Sequence, residues 1–299
     1  MTARISTGFI GLGMMGHGMA RNLVTKGFPL TVMAHRRRDA VDDLLSLGAS
    51  EVATPAEVAA ASDIVFICVG SSAQVESLVR GEAGLAIGAR PGLTIVDCST
   101  SDPNSTLMLA AELALLKVDY ADAPLSRTPK EAMDGTLDCM VGADDAVFAR
   151  IEPVIAAWAG KIVHVGKVGD GHKMKLLNNF VSLGYAAIYA EALALGRKSG
   201  IEPATFDSVI RGGRMDCGFY QTFMRYVLDR DENAHKFSIG NAAKDLRYLE
   251  AMADAAGLAN PIGNAVKNTF AGAAATGRAD HYVPMISDIV AAANGTKLD

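Results

Sequence analysis

The chain has 299 residues, half of them hydrophobic and a fifth charged, the makeup of a globular protein long enough for two domains or for one large one. A net charge of -5 gives no reason to expect nucleic acid or an anionic membrane as a partner, and no apolar run reaches the roughly 18 residues of a membrane span. The chain opens without a basic-then-apolar leader, and its four scattered cysteines form no Cys-x-x-Cys, so a reducing, cytoplasmic setting is expected.

The first predicted strand, 8–10, runs directly into Gly11-Leu12-Gly13-Met14-Met15-Gly16. Glycine at 11 permits a tight turn, at 13 a close approach of backbone to a pyrophosphate, and at 16 the packing of the next helix on its strand. That helix, predicted over 14–26 and closed by Gly27, would aim free N–H groups at the phosphates. A second apolar run, 30–34, completes the context that separates this pattern from a plain tight turn. All six residues 11–16 are expected to contact a dinucleotide.

An NAD site calls for an acid near the end of the second strand, about 20 residues past the glycines. Here the chain reads His35-Arg36-Arg37-Arg38, with no acid before Asp39, which is expected to cap the next helix. The arginines suit the 2′-phosphate of NADP, with Arg36 the direct contact and His35 and Arg37 beside it. The alternative is a solvated basic turn. NADP is therefore the expected cofactor, with NAD possible.

Further strands are predicted at 64–69, 94–98, 120–124, 138–141 and 161–165, and helices at 39–47, 73–79, 104–116 and 145–158. Continuous apolar strands separated by helices indicate a Rossmann-type α/β domain with a mainly parallel sheet over 1–166. From about 169 the strand signals stop. A proline-free helical stretch, 172–196, would be about 37 Å long and would join the first domain to an all-α domain over 167–299. Helices at 203–210, 219–228, 239–256, 262–275 and 285–293 complete it.

Within the long helix, Lys175, Asn178, Asn179 and Ser182 fall at i, i+3, i+4 and i+7 and share a face. Their neighbours are mostly apolar. Unpaired buried polar groups are costly, so this row either meets water or lines a ligand cleft between the domains. The six histidines show no metal-ligand spacing, and no metal site is predicted. His172 reads as a partly exposed residue at a helix start.

These motifs together resemble the β-hydroxyacid dehydrogenase family. Phe9-Ile10-Gly11-Leu12-Gly13-Met14-Met15-Gly16, continuing to Leu23, is similar to its opening signature. Gly169-x-Gly171-x-x-x-Lys175-x-x-Asn178-Asn179 is similar to its catalytic block. Asp122-Ala123-Pro124-Leu125-Ser126, with Gly135-Thr136-Leu137, resembles its substrate loop, and Phe237 with Lys244-Asp245-Leu246 its C-terminal motif. The resemblance implies reversible hydride transfer between NAD(P) and a small anionic semialdehyde or β-hydroxyacid, in a homodimer or homotetramer. Lys175 takes the role of general acid/base. An ordinary lysine titrates near about 10.4, and burial beside a positive nicotinamide would lower that. Asn179 would hold the lysine or the substrate, and Asn178, Ser182, Lys244 and Asp245 would line the substrate. Ser99 and Thr100 would meet the nicotinamide side of the cofactor. Val69, Gly70, Ser71 and Ser72 would border the adenine ribose or pyrophosphate, and Phe237 and Lys244 would also touch cofactor.

The chain departs from the family at the substrate loop, where Ser126-Arg127-Thr128 replaces the common Ser-Gly-Gly. The guanidinium either reads a strong anion through its fork of donors or turns to solvent. Arg127 and Thr128, with Asn178 and Ser182, most resemble the sulfolactaldehyde reductases, which carry glycine where Ser126 stands. Sulfolactaldehyde or succinic semialdehyde reduction are the narrower readings. Imine reductases share the glycine signature but replace the lysine with Asp or Tyr, and a non-catalytic nucleotide-binding module has no use for Lys175, Asn179 and Lys244.

Overall fold

The structure is a computed structural model that describes residues 5–35 and 38–298. It divides into two compact units, Met1–Lys175 and Leu176–Asp299. The first opens with β1 (Thr7–Ile10), α1 (Gly16–Thr25), β2 (Leu30–Met33), α2 (Asp39–Ser46), β3 (Ser50–Val52) and α3 (Pro55–Ala60). It continues through β4 (Ile64–Ile67), α4 (Ser72–Arg80), α5 (Leu85–Gly88), β5 (Thr94–Asp97) and α6 (Pro103–Ala114). Then come β6 (Asp119–Asp122), β7 (Leu125–Ser126), α7 (Pro129–Asp134), β8 (Leu137–Gly142), α8 (Asp145–Ile155) and β9 (Ala159–Gly166).

The strands lie in the order β3-β2-β1-β4-β5-β6-β8-β7, with β9 beside β8. Pairing is parallel from β3 to β6, whereas β8 runs antiparallel to β6 and β7. Strands β1, β4 and β5 are buried at every residue, as a sheet covered on both faces requires. Alternate side chains serve two cores. Phe9 and Phe66 meet Trp158 on one face, and Ile10, Val65, Ile67 and Ile95 fill the other. The order reverses between β1 and β4, and in open α/β sheets ligands bind in the crevice beyond the strand ends at such a point.

The second unit takes up α9 (Asp170–Lys198) from Leu176 onward and adds α10 (Pro203–Ile210), α11 (Gly218–Asp229), α12 (Ile239–Ala255), α13 (Pro261–Ala273) and α14 (Ile286–Ala293). Helix α9 has 29 residues and sends Leu183, Ala186, Ala190 and Leu193 into a core with Tyr220, Phe223, Met224, Leu246 and Phe270. No described helix is long and apolar enough to cross a membrane.

The α/β pattern followed by helices agrees with the expectation from sequence, and most element ends move by one or two residues. Short β3 and β7 and short α3, α5 and α7 were not anticipated. Asp39 does not cap α2. It is the first helical residue, and Arg38 stands at the cap, its guanidinium 3.0 Å from each oxygen of Glu51.

Candidate active site

Two different constraints shape the glycine turn. Gly11 has φ +100°, and a Cβ there would lie 2.1 Å from the Cys68 carbonyl oxygen. At Gly16 a Cβ would lie 2.0 Å from the Gly11 oxygen, so the helix is seated on the turn itself. At Gly13 a Cβ would meet nothing within 4 Å, which leaves the outer face of the turn open. Helix α1 begins at Gly16, later than expected, and Met14 and Met15 belong to the turn. Its cap residue, Met15, makes no side-chain capping bond. An open backbone turn ahead of an uncapped helix start is a cradle that fits a diphosphate.

The neighbouring strand ends are tied together. The Val69 N–H donates to Ser99 Oγ at 3.0 Å, and the Gly70 N–H to Gln74 Oε1 at 2.8 Å. Ser71 caps α4. Ser72 is buried and its Oγ accepts the Asp102 N–H at 2.7 Å, so this hydroxyl braces the loop after β5. His35 is exposed after β2. Arg36 and Arg37, on which the NADP expectation rests, lie outside the described residues.

Behind Ser99 lies a fully buried polar network. Asp97 accepts the Ser99 N–H and the Ser101 hydroxyl, each at 2.8 Å. Asp122, at the end of β6, accepts the N–H groups of Gly169 and His172, each at 2.6 Å. His172 is not partly exposed as its position suggested; like Asp97 and Asp122 it is wholly buried. Its Nε2 faces the Ser99 carbonyl oxygen at 3.1 Å and its Nδ1 lies 2.7 Å from Thr106 Oγ1. Burial pushes the Asp122 carboxyl above its ordinary range, against the pull of His172 and the two N–H groups. The start of α9 is buried because Gly171 has no side chain: a Cβ there would lie 2.6 Å from the Met140 oxygen.

Ser126 pairs in register with Asp138 across β7 and β8. Arg127 has φ +89°, a conformation that favours glycine, and its Nε lies 2.9 Å from Asp138 Oδ1 with the side chain half exposed. Thr128 opens the helix that follows. It caps α7, donating to Glu131 at 2.5 Å and accepting the Lys130 N–H at 3.3 Å. The Thr-Pro-x-Glu run that marks this cap was readable in the sequence.

Along α9, Lys175 and Ser182 are half-buried, Asn178 is exposed and Asn179 is buried. The polar row is thus not uniform. Asn179 Nδ2 donates to Asp245 Oδ2 at 2.8 Å, so Asn179 holds a buried carboxylate. Lys244 Nζ lies 3.0 Å from Asp245 Oδ1 and 5.1 Å from the centre of the Tyr248 ring. Phe237, just before α12, stands edge-on to His235. Lys173 pairs with Asp170 at 2.9 Å. Among the described residues no three His, Cys, Asp or Glu side chains gather as a metal site.

A Rossmann sheet with an open glycine turn at its first strand is the frame of a dinucleotide-binding protein. Residues 6–166 match the family model described as the NAD binding domain of 6-phosphogluconate dehydrogenase. Residues 169–286 match that described as NAD-binding of NADP-dependent 3-hydroxyisobutyrate dehydrogenase. The chain is 37% identical over 271 residues to 2-hydroxy-3-oxopropionate reductase of Escherichia coli, covering 90% of this chain and 91% of the other. It is 41% identical over 211 residues to 2-(hydroxymethyl)glutarate dehydrogenase of Eubacterium barkeri, covering 70% and 69%. Mycobacterium tuberculosis 3-hydroxyisobutyrate dehydrogenase, solved with L-serine, superposes with a TM-score of 0.86 at 27% identity, over 96% of this chain and 99% of that one. The chain belongs to the β-hydroxyacid dehydrogenase family, NAD(P)-dependent oxidoreductases.

Proposed function

We propose that this enzyme reduces a short anionic semialdehyde reversibly to the corresponding hydroxyacid, with NADP(H) preferred and Lys175 as general acid/base. The observation that carries this reading is the half-buried Lys175, one turn past a helix start anchored in the dinucleotide-binding unit by Asp122. Bound NADP(H) would supply or accept the hydride. Lys175 gives a proton to the developing alkoxide, and takes it back in oxidation. Ser126 and Arg127 bind the anionic end of the substrate, a carboxylate or sulfonate, and Asn178, Ser182 and Lys244 complete its surroundings. Asp245, anchored by Asn179, balances the Lys244 charge. The names of the relatives in Escherichia coli and Eubacterium barkeri support a short acidic substrate.

A homodimer or homotetramer is part of this reading. Leu177, Val181, Ile188 and Leu195 stand exposed on α9, up to 69% at Leu195, an apolar row that a second copy would cover. Light scattering on the purified protein reads the assembly, and a monomer at micromolar concentration would overturn it. For the reaction, steady-state rates with NADPH and NADH are measured against short semialdehydes ending in carboxylate or sulfonate. Turnover of at least one with NADPH is expected, and no turnover of any would overturn the reading.

A further inference from the structure

We propose that His172, held by Asp122, is a positioning residue that fixes the Ser99–Thr100 turn against the helix that carries Lys175. The proposal rests on the reading that Lys175 serves the reacting oxygen and that Ser99 and Thr100 border the nicotinamide. The geometry is closed on both sides. From the helix, the backbone of residues 169 and 172 is capped by a carboxylate that belongs to β6, 47 and 50 residues earlier. From the sheet, the Ser99 carbonyl accepts only hydrogen, so Nε2 of His172 carries one and donates it. The other ring nitrogen meets Thr106 of α6, and Asp97 and Asp122 flank the ring at 3.7 and 3.8 Å.

Ser99 is itself held at its N–H by Asp97 and at its hydroxyl by Val69. Its carbonyl joins this turn to α9 through the His172 ring. Lys175 lies three residues beyond His172, less than one helical turn. A chain of short bonds therefore runs from the end of β4 through β5 to the lysine helix, with no exposed member between Ser99 and His172. Such a tie sets the separation between a hydride carrier seated on Ser99–Thr100 and a proton donor on α9. Positional errors of about 1 Å at this stage cost up to about a hundredfold in rate.

The test compares His172→Leu, which fills the space but cannot donate, with His172→Gln, whose amide can still donate to the Ser99 carbonyl. For His172→Leu, kcat should fall about tenfold or more, with KM for the semialdehyde and the NADPH Kd from fluorescence titration within about twofold of wild type. His172→Gln should recover most of the lost kcat. Hydrogen exchange without cofactor or substrate should quicken in His172→Leu at residues 99–101 and 169–175, with the rest of the sheet unchanged. An unchanged kcat in His172→Leu, equal impairment in His172→Gln, or exchange raised evenly along the chain would each overturn the proposal. Should Lys175→Ala keep full activity, the acid/base assignment falls, while the exchange experiment still decides whether His172 forms the tie.

Discussion

Arg127 and Asp138 form an ion pair, Nε to Oδ1 at 2.9 Å, from a backbone whose φ of +89° is one that glycine adopts freely and arginine does not. An arginine kept in that conformation costs about 1–2 kcal/mol, more than a half-exposed ion pair returns. On the proposed reading the guanidinium is kept at this cost because it binds the substrate.

Replacing Arg127 by glycine should therefore separate stability from activity. Removing the strain offsets the lost ion pair, so the melting temperature should hold or rise. The loss of a charged contact worth about 1.5–3 kcal/mol should lower kcat/KM for the best anionic substrate by about ten- to a hundredfold, with NADPH affinity intact. Arg127→Ala keeps the backbone cost and should melt lower than Arg127→Gly. Unchanged kinetics in both variants would show that the side chain serves solvent alone.

Lys175→Ala should cut kcat by at least about a hundredfold with cofactor affinity nearly intact, the scale of losing a positioned proton donor. Lys173 is spoken for by Asp170 at the surface, and Lys173→Ala should cost at most about 1 kcal/mol of stability and leave kcat alone. Rapid-quench and steady-state rates on both variants check this. An exchange of phenotypes between the two lysines would contradict the assignment.

The proposed NADP preference rests on Arg36. Each charge-assisted contact to a 2′-phosphate is worth about 1.5–3 kcal/mol, so Arg36→Ala should raise the KM for NADPH about tenfold or more and leave that for NADH near its wild-type value. A wild-type enzyme with the lower KM for NADH would refute an NADP preference.

Asp63 gives the fold an acid limit. The Ser6 N–H and then the Arg90 guanidinium hold its carboxyl down at about 2, below the usual carboxylate range. A depressed folded-state value stabilises above the unfolded value and is lost as pH falls through the folded one. Asp63→Asn should thus be less stable than wild type at neutral pH, with the gap closing between about pH 4 and pH 2. Urea midpoints at several pH values measure it, and a gap independent of pH would refute the role.

Much of this was legible in the residues. The glycine turn, the strand order's raw material and the 29-residue helix all announce themselves through local period and spacing. The lysine row was readable as a row, but its uneven burial was not, because Asn179 meets an acid 66 positions later. The burial of His172 is hidden from the sequence for the same reason. Its partners come from the end of β5 and the turn after it, from β6 and from α6, and nothing near it in sequence signals that a helix start will be buried. Thr128 shows the opposite case: its capping pattern with Glu131 is local, and four adjacent residues are enough to read it.

Helix α1 and helix α7 touch backbone to backbone. A Cβ on Gly18 would lie 2.6 Å from the Ala132 carbonyl carbon, and Asn22 Nδ2 reaches the carbonyls of Ala132 and Met133 at 3.0 and 3.1 Å. The segment that follows Arg127 is therefore bolted to the helix that follows the glycine turn. For anyone redesigning this enzyme, the segment after Arg127 and the helix after the glycine turn are one exchangeable cassette: a segment transplanted from a relative without its matching residues at 18 and 22 would arrive without its seat.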